Sequence, residues 1–125
     1  MGAVLAGTSL EALLAGQRAA HRRNPYPGWR ERKDHLRRLE QALLQSKDEI
    51  AAALDRDFGG RSKDEVVISE LFVSLCAIRH ARKHVREWMR GRPRDLAWAL
   101  QPARAWVMPQ PLGVVGIVSP WNYPV

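Results

Sequence analysis

Residues 111–125 read PLGVVGIVSPWNYPV, an apolar run followed by a turn that is rich in proline and aromatic side chains. The β-branched residues of Val114–Val118 are typical of a strand that is buried on both faces, as inside a parallel sheet. Parallel strands are joined by crossover segments, so such a strand needs neighbours from further βα units. We therefore predict that an α/β sheet opens here, with its remaining strands outside these 125 residues.

The turn after this run is a candidate ligand site. Open α/β sheets bind ligands at the carboxyl ends of their strands. Asn122 could donate its side-chain amide to a developing oxyanion. Ordinary turn chemistry explains the same asparagine equally well, so the residues alone leave both interpretations open. Gly113 and Gly116 do not have the GxGxxG spacing of the dinucleotide-binding fingerprint.

The chain up to residue 92 shows helical periodicity. Three candidate capping boxes mark helix starts, and they are Thr8–Glu11, Ser46–Glu49 and Ser62–Glu65. The first predicts a helix over about 9–22. A second helix is expected from near Trp29, with a fresh start near Ser46 and a stop at Gly59-Gly60. The third box begins a long helix that ends at Gly91, and its apolar stripe consists of Ile68, Leu71, Leu75, Ile78, Val85 and Trp88.

After Pro93 the hydrophobic period changes from helical to two-residue. Leu96–Leu100 alternates apolar and small or polar residues, and Ala105–Met108 resumes the pattern after a proline. Both segments predict short strands that could form a hairpin. The fold class expected from the residues is therefore α/β, mostly helical, with short strands near the carboxyl end.

The strongly basic composition is spread along the chain. The net charge is +7, but the sixteen arginines lie between Arg18 and Arg104 among acidic neighbours. The densest stretches, Trp29–Arg38 and Arg79–Arg94, fall on predicted helices, where charge runs usually form solvated faces. We therefore predict that nucleic acid is not a partner.

Three features bear on the cellular compartment. Cys76 is the single cysteine, so no internal disulfide can form, and this fits a reducing cytosol. The amino-terminal stretch lacks the basic n-region of a secretory signal, and Ala6 stands where myristoylation requires Ser or Thr. The longest apolar run is shorter than the roughly 18–20 residues of a membrane span. A cytoplasmic protein without membrane contact is predicted.

Two further groups are candidate reactive sites. His80 and His84 have the spacing of a metalloprotease pair, but Ala81 replaces the required glutamate and basic neighbours would repel a dication. We predict a basic solvated helix surface and no metal site. Cys76 lies in the middle of the long helix, so we predict a packed side chain and not a nucleophile.

A resemblance carries the functional prediction further. QPLGVVGIVSPWNYP at 110–124 resembles the segment that opens the cofactor domain of the NAD(P)-dependent aldehyde dehydrogenases. NPYP at 24–27, SELFVSLCAIRHARKHVREWM at 69–89 and QPARAWVMPQPLG at 101–113 resemble the coniferyl aldehyde dehydrogenase branch. The resemblance covers nearly the whole chain and is most specific in the last fifteen residues.

The resemblance implies a Rossmann-like cofactor domain, NAD or NADP as cofactor, an aldehyde substrate and a homo-oligomer. Asn122 matches the oxyanion-hole donor. Val118, Ser119, Pro120 and Trp121 match the stretch that lines the cofactor cleft. The implied boundaries are a helical segment at 1–92, a bridging strand pair at 93–110, and the first strand and turn of the cofactor domain at 111–125.

The same resemblance implies that much of the active site lies elsewhere. The family's nucleophilic cysteine and general-base glutamate both follow this motif, and neither has a counterpart here. We therefore expect the amino-terminal part of a longer enzyme, inactive alone. The alternative is a non-catalytic, basic helical interaction module, because three capping boxes could support an autonomous bundle.

Overall fold

The computed structural model describes residues 9–125, which are mostly helical. In chain order the elements are α1 (Leu10–Arg23), α2 (Trp29–Gln45), α3 (Lys47–Phe58), α4 (Lys63–Val66), a π-helical segment (Val67–Phe72), α5 (Val73–Trp88), β1 (Arg92–Arg94), a 3₁₀ turn (Trp98–Leu100) and β2 (Ala105–Val107). The segments from α4 to α5 follow one another without a break, so they form one helical run over 63–88. This run is the long helix predicted from the sequence.

Two compact units can be distinguished in the chain. The described part of the first contains residues 9–27 and 110–117, and the second contains 28–109 and 118–125. In the first unit, the Ser9 hydroxyl caps α1 by accepting a hydrogen bond from the backbone N–H of Ala12 at 3.2 Å. The predicted helix over 9–22 is confirmed, whereas Thr8 lies outside the described residues.

The second unit has its core between α3 and the front of the helical run. Ala51, Leu54, Val66 and Leu71 form this core, and Leu43, Ile50 and Val67 pack against it. Burial of apolar side chains is the main stabilising contribution to such a fold. Farther along, α5 packs on α2 and buries Ile78 and Val85. The helical run over 63–88 therefore packs against α3 at its front and against α2 farther along.

The capping boxes correctly predicted where helices begin, but not which hydrogen bonds the capping side chains make. Helices begin after Ser46 and Ser62 as expected, yet neither hydroxyl makes a capping hydrogen bond. Ser46 is also the C-cap of α2, and its N–H donates to the Ala42 carbonyl at 2.9 Å. Its backbone (φ −89°, ψ 8°) is consequently not in the extended conformation that an N-cap side chain needs.

The π-helical segment changes which side of the long helix is buried. A regular α-helix would place Ile68 with Leu71 on the apolar stripe. Ile68 is instead 66% exposed, while Glu70 and Leu71 are buried. A π turn contains an extra residue, which rotates the two halves of the run relative to the predicted periodicity. The predicted place of Ile68 on the buried stripe is therefore wrong.

The carboxyl-terminal strands differ from those predicted. β1 and β2 pair antiparallel, with Pro93 opposite Trp106, so the Ala105–Met108 prediction is confirmed for Ala105–Val107. The predicted strand at Leu96–Leu100 is wrong, because this segment contains the 3₁₀ turn and has no hydrogen-bonded neighbour. Alternation indicates a strand only where one face is buried, and Trp98 is exposed.

The predicted strand at Val114–Val118 is also not formed. Residues 114–118 have no regular secondary structure, and Val115, Ile117 and Val118 are exposed. A strand needs a hydrogen-bonded neighbour, and the two strands within residues 9–125 pair only with each other. No helix in this same range is long and apolar enough to cross a membrane.

Candidate functional site

The turn at Trp121 and Asn122 projects from the second unit and is highly exposed. Val118 is 97% and Trp121 is 85% exposed, and Ser119, Pro120 and Asn122 are exposed as well. All five residues predicted for the oxyanion donor and the cofactor cleft therefore lie on one accessible stretch. Their exposure leaves both the Asn122 amide and the preceding backbone accessible to a ligand.

Two side chains, those of Arg61 and Glu70, hydrogen-bond to the backbone of the exposed turn. Arg61 donates from Nη1 to the backbone carbonyl of Asn122 at 3.1 Å. Glu70 accepts from the backbone N–H of Val125 at 3.0 Å through Oε2. The guanidinium of Arg61 also lies 5.1 Å from the centre of the Tyr123 ring, within cation–π range.

A cleft of about 420 Å³ opens beside the turn. It is lined by Phe58, Gly59, Gly60, Arg61, Glu65, Asn122 and Tyr123. Gly59 ends α3 in the left-handed conformation with φ 68°, and its N–H donates to the Asp55 carbonyl. This abrupt stop directs the chain away from α3 and brings Arg61 under the turn.

Cys76 does not take part in this cleft. It lies on α5 and is not among the residues that line the cleft. Its side chain is exposed, so the prediction of a packed core thiol is wrong. The buried residues of α5 are Ile78 and Val85 instead.

The histidine pair on α5 forms ring contacts, with the two imidazoles tilted relative to each other. The ring centroids of His80 and His84 lie 4.1 Å apart, and the His84 ring stacks on Trp88 at 5.9 Å. His84 Nδ1 lies 2.8 Å from the His80 carbonyl oxygen, an acceptor, so this nitrogen carries the proton. Within residues 9–125 no group of three or more His, Cys, Asp or Glu side chains could hold a metal ion.

A basic groove of about 650 Å³ runs along the junction of α2 and α5. Its lining residues are Trp29, Arg30, Lys33, Asp34, Arg37, Arg79, Arg82 and Lys83. At its edge Glu40 is buried and forms ion pairs with Arg79 at 2.6 Å and with Arg82. The hydrogen bond from Arg79, together with the charges of Arg82 and Arg79, holds the pKa of Glu40 below its usual value.

Arg61 and Glu70, which hydrogen-bond to the backbone of the turn, were not predicted from the sequence. A signal for Glu70 was present, because this glutamate interrupts the apolar stretch between Ile68 and Leu71. A carboxylate on a buried helix face requires a cationic or hydrogen-bonding partner. Arg61 follows two glycines and carries no comparable signal.

A sequence model described as the aldehyde dehydrogenase family matches residues 7–125 of this chain. The match covers far more than half of the chain and includes both the helical region and the exposed turn. The chain belongs to the aldehyde dehydrogenase family.

Individual relatives agree with this assignment. A Pseudomonas aeruginosa protein named "Probable coniferyl aldehyde dehydrogenase" is 44% identical over 116 residues, which are 93% of this chain and 24% of that protein. A protein of the same name from Caulobacter vibrioides is 38% identical over 90% of this chain and 24% of its own length. The "Coniferyl aldehyde dehydrogenase" of a Pseudomonas species is 33% identical over 124 residues, which are 99% of this chain and 25% of that protein. The chain thus spans about a quarter of the length of these relatives.

Proposed function

We propose that this chain takes part in the NAD(P)-dependent oxidation of an aldehyde to a carboxylic acid and that Asn122 is its oxyanion donor. The observation that carries the proposal is the exposed asparagine on a turn whose backbone is anchored to the second unit. Family membership supplies the reaction class. Coniferyl aldehyde, or another aromatic or aliphatic aldehyde, is the proposed substrate because the similar proteins are named for it.

The oxyanion role follows from elementary electrostatics. When a thiolate adds to an aldehyde carbonyl, negative charge develops on the oxygen. The side-chain amide of Asn122 would donate a hydrogen bond to that oxygen, and one preorganised donor contributes about 2.7–4 kcal/mol. Cys76 is the single thiol of the chain and lies on a different element, so we place the nucleophile outside these 125 residues.

The cofactor would contact the stretch that precedes Asn122. Val118 and Trp121 offer exposed apolar surface, and the backbone at Ser119 and Pro120 is accessible, so these residues fit one edge of a nicotinamide dinucleotide. When bound, NAD or NADP accepts the hydride from the aldehyde carbon. In the complete enzyme we propose a Rossmann-like domain at this position and a homo-oligomer, with the β1–β2 pair as a bridging element.

A hybrid enzyme tests the proposal. Residues 1–125 would replace the matching quarter of the Pseudomonas aeruginosa relative, and aldehyde-dependent NAD(P)H formation would be followed. We expect the hybrid to be active and the isolated chain to be inactive. Asn122→Ala in the hybrid should lower kcat by about 10²–10³.

The matched control for this substitution is Gln45→Ala, which removes an exposed amide at the end of α2. It should leave kcat unchanged. If Asn122→Ala behaves like Gln45→Ala in an active hybrid, the proposed role of Asn122 is wrong.

A second candidate function is a basic helical interaction module. The groove between α2 and α5 favours it, because seven of its lining side chains are cationic or aromatic and only Asp34 is acidic. Such a surface would bind an acidic peptide with an affinity that falls as salt rises. Titration of the 125-residue chain with poly-glutamate at 50 and 300 mM salt tests this alternative, and absence of binding at low salt excludes it.

A further inference from the structure

A buried ion pair lies directly beneath the exposed turn. The side chains of Arg61 and Glu70 are 6% and 1% exposed, and Nη1 lies 2.8 Å from Oε1. Arginine and glutamate are rarely buried to this extent. The desolvation of two charges usually offsets most of their mutual attraction. Stabilisation of the fold is therefore an insufficient reason for this pair.

The pair directs its hydrogen bonds to the backbone of the turn. Arg61 holds the carbonyl of Asn122, and Glu70 holds the N–H of Val125, so the segment between them is fixed at both ends. The rings of Phe58 and Tyr123 flank the guanidinium at 4.8 and 5.1 Å. These contacts restrict movement of the peptide unit that carries the Asn122 side chain.

Two further atoms of the pair, Nε of Arg61 and Oε1 of Glu70, lie within ion-pair distance of opposite charges. Nε of Arg61 lies 3.3 Å from the Glu65 carboxylate, and Oε1 of Glu70 is within ion-pair distance of Arg61. In the part of the chain that the structure describes, neither buried atom makes a properly aligned hydrogen bond. The two side chains are therefore oriented toward the backbone of the turn at the expense of a well-aligned bond to each other.

We propose that Arg61 and Glu70 are positioning residues for Asn122. The inference rests on the proposed function, in which the Asn122 amide meets the developing oxyanion. A donor of this kind acts at about 2.7–3.1 Å, and a displacement of about 1 Å can cost 10²-fold in rate. By holding the Asn122 carbonyl, Arg61 sets the direction in which the adjacent side chain leaves the backbone, and Glu70 secures the other end of the turn.

The hybrid enzyme separates positioning from stability. The double variant Arg61→Met/Glu70→Leu replaces both charges with apolar side chains, which often preserves or raises stability. We expect the urea midpoint to stay the same or increase, while kcat falls by about tenfold or more and the KM for the aldehyde changes little. Hydrogen–deuterium exchange should accelerate in peptides that cover residues 119–125.

A control removes a second ion pair away from the turn, in which the carboxylate is buried and the arginine is half exposed. Glu40→Leu/Arg79→Met eliminates the buried carboxylate and one arginine between α2 and α5. Exchange at residues 119–125 and kcat should then match those of the unmodified hybrid. An equal loss of kcat in both double variants would overturn the positioning role.

Combination with Asn122→Ala completes the test. If Arg61 and Glu70 act through Asn122, adding Arg61→Met/Glu70→Leu to Asn122→Ala should cause no further loss of kcat. Losses that multiply, or exchange at 119–125 that stays unchanged in the double variant, would overturn the inference. An Asn122→Ala variant with unchanged kcat would instead count against the proposed function itself, so the two failures are distinguishable.

Discussion

At the level of single residues, Glu40 differs from most other carboxylates in being buried among basic side chains. Its two oxygens face Arg79 and Arg82 across the junction of α2 and α5. Asp48, by contrast, pairs with Lys63 on the surface, where both side chains are largely exposed. Removal of one member of a buried pair leaves an uncompensated charge, whereas exposed pairs contribute little.

Glu40→Gln should lower the urea midpoint of the chain at pH 7. Because the folded state holds the pKa of Glu40 below its usual value, the pair contributes fully above about pH 4.3. This contribution is lost as the pH falls through the lowered pKa, so the two proteins should converge in acid. Urea titrations between pH 7 and pH 2 measure the difference.

Asp48→Asn is the control for this pH series, and its midpoint should stay close to that of the parent protein at every pH. A Glu40→Gln variant with a constant deficit down to pH 2 would show that the carboxylate charge is not responsible.

Leu54→Ala should strongly destabilise the second unit. Leu54 is 4% exposed in the core that α3 forms with the helical run. Truncation of such a leucine leaves a cavity and costs about 2–5 kcal/mol of unfolding free energy. Leu44→Ala changes a half-exposed leucine on α2 and should cost less than about 1 kcal/mol. Equal urea midpoints for the two variants would contradict the assigned core.

At the level of single residues, the turn could be predicted from the sequence, whereas Arg61 and Glu70, which hydrogen-bond to it, could not. The motif around Asn122 was visible because it lies in consecutive residues. Arg61 and Glu70 meet the turn across 61 and 55 residues of sequence, respectively. Contacts of that range depend on how α3 ends and on the π-helical segment, which periodicity does not reveal.

At the level of elements, two glycines on helices should respond oppositely to substitution. Gly59 terminates α3 with φ 68°, a conformation that costs a residue with a Cβ atom about 1–2 kcal/mol. Gly16 lies within α1 at an exposed position, where alanine should stabilise the helix by about 0.5–1 kcal/mol. An added Cβ meets nothing within 4 Å at either position, so the effects come from the backbone alone.

Gly59→Ala should therefore lower the thermal unfolding midpoint of the chain, while Gly16→Ala should increase its helical circular dichroism signal. A Gly59→Ala variant with an unchanged midpoint would show that the left-handed stop of α3 is dispensable.

The helices were predictable here, whereas only one of the three predicted strands is formed, and the difference has a physical reason. A helix satisfies its own backbone bonds, so α1, α2 and α3 follow from local periodicity and glycine stops. A strand satisfies its backbone only through a neighbour, which local sequence does not specify. β2 found a partner in Arg92–Arg94, whereas Val114–Val118, despite its strand-like composition, has none among residues 9–125.

At the level of the whole molecule, exposed apolar side chains are abundant toward the carboxyl end. They include Trp98, Trp106, Leu112, Ile117, Val118 and Trp121. Surfaces of this kind usually mark interaction sites or promote aggregation. We expect the purified 125-residue chain to bind ANS and to elute above its 14.2 kDa mass in gel filtration.

The variant Ile117→Ser/Val118→Ser should reduce both ANS binding and self-association, since it removes two of the most exposed apolar side chains. Leu10→Ser changes an exposed leucine in α1 and serves as the control. A monomer that unfolds cooperatively and binds no ANS would instead favour the autonomous interaction module.

The two packing partners of the helical run over 63–88 also limit how the chain can vary in length. Each residue advances an α-helix by about 100°, so one inserted or deleted residue between Val73 and Ile78 would turn everything downstream by that angle. Arg79 would then leave Glu40, while Leu71 would remain in its core. Over 63–88 a change in the number of residues should therefore be more disruptive than most single substitutions. Homologous sequences should show substitutions in this range far more often than insertions or deletions.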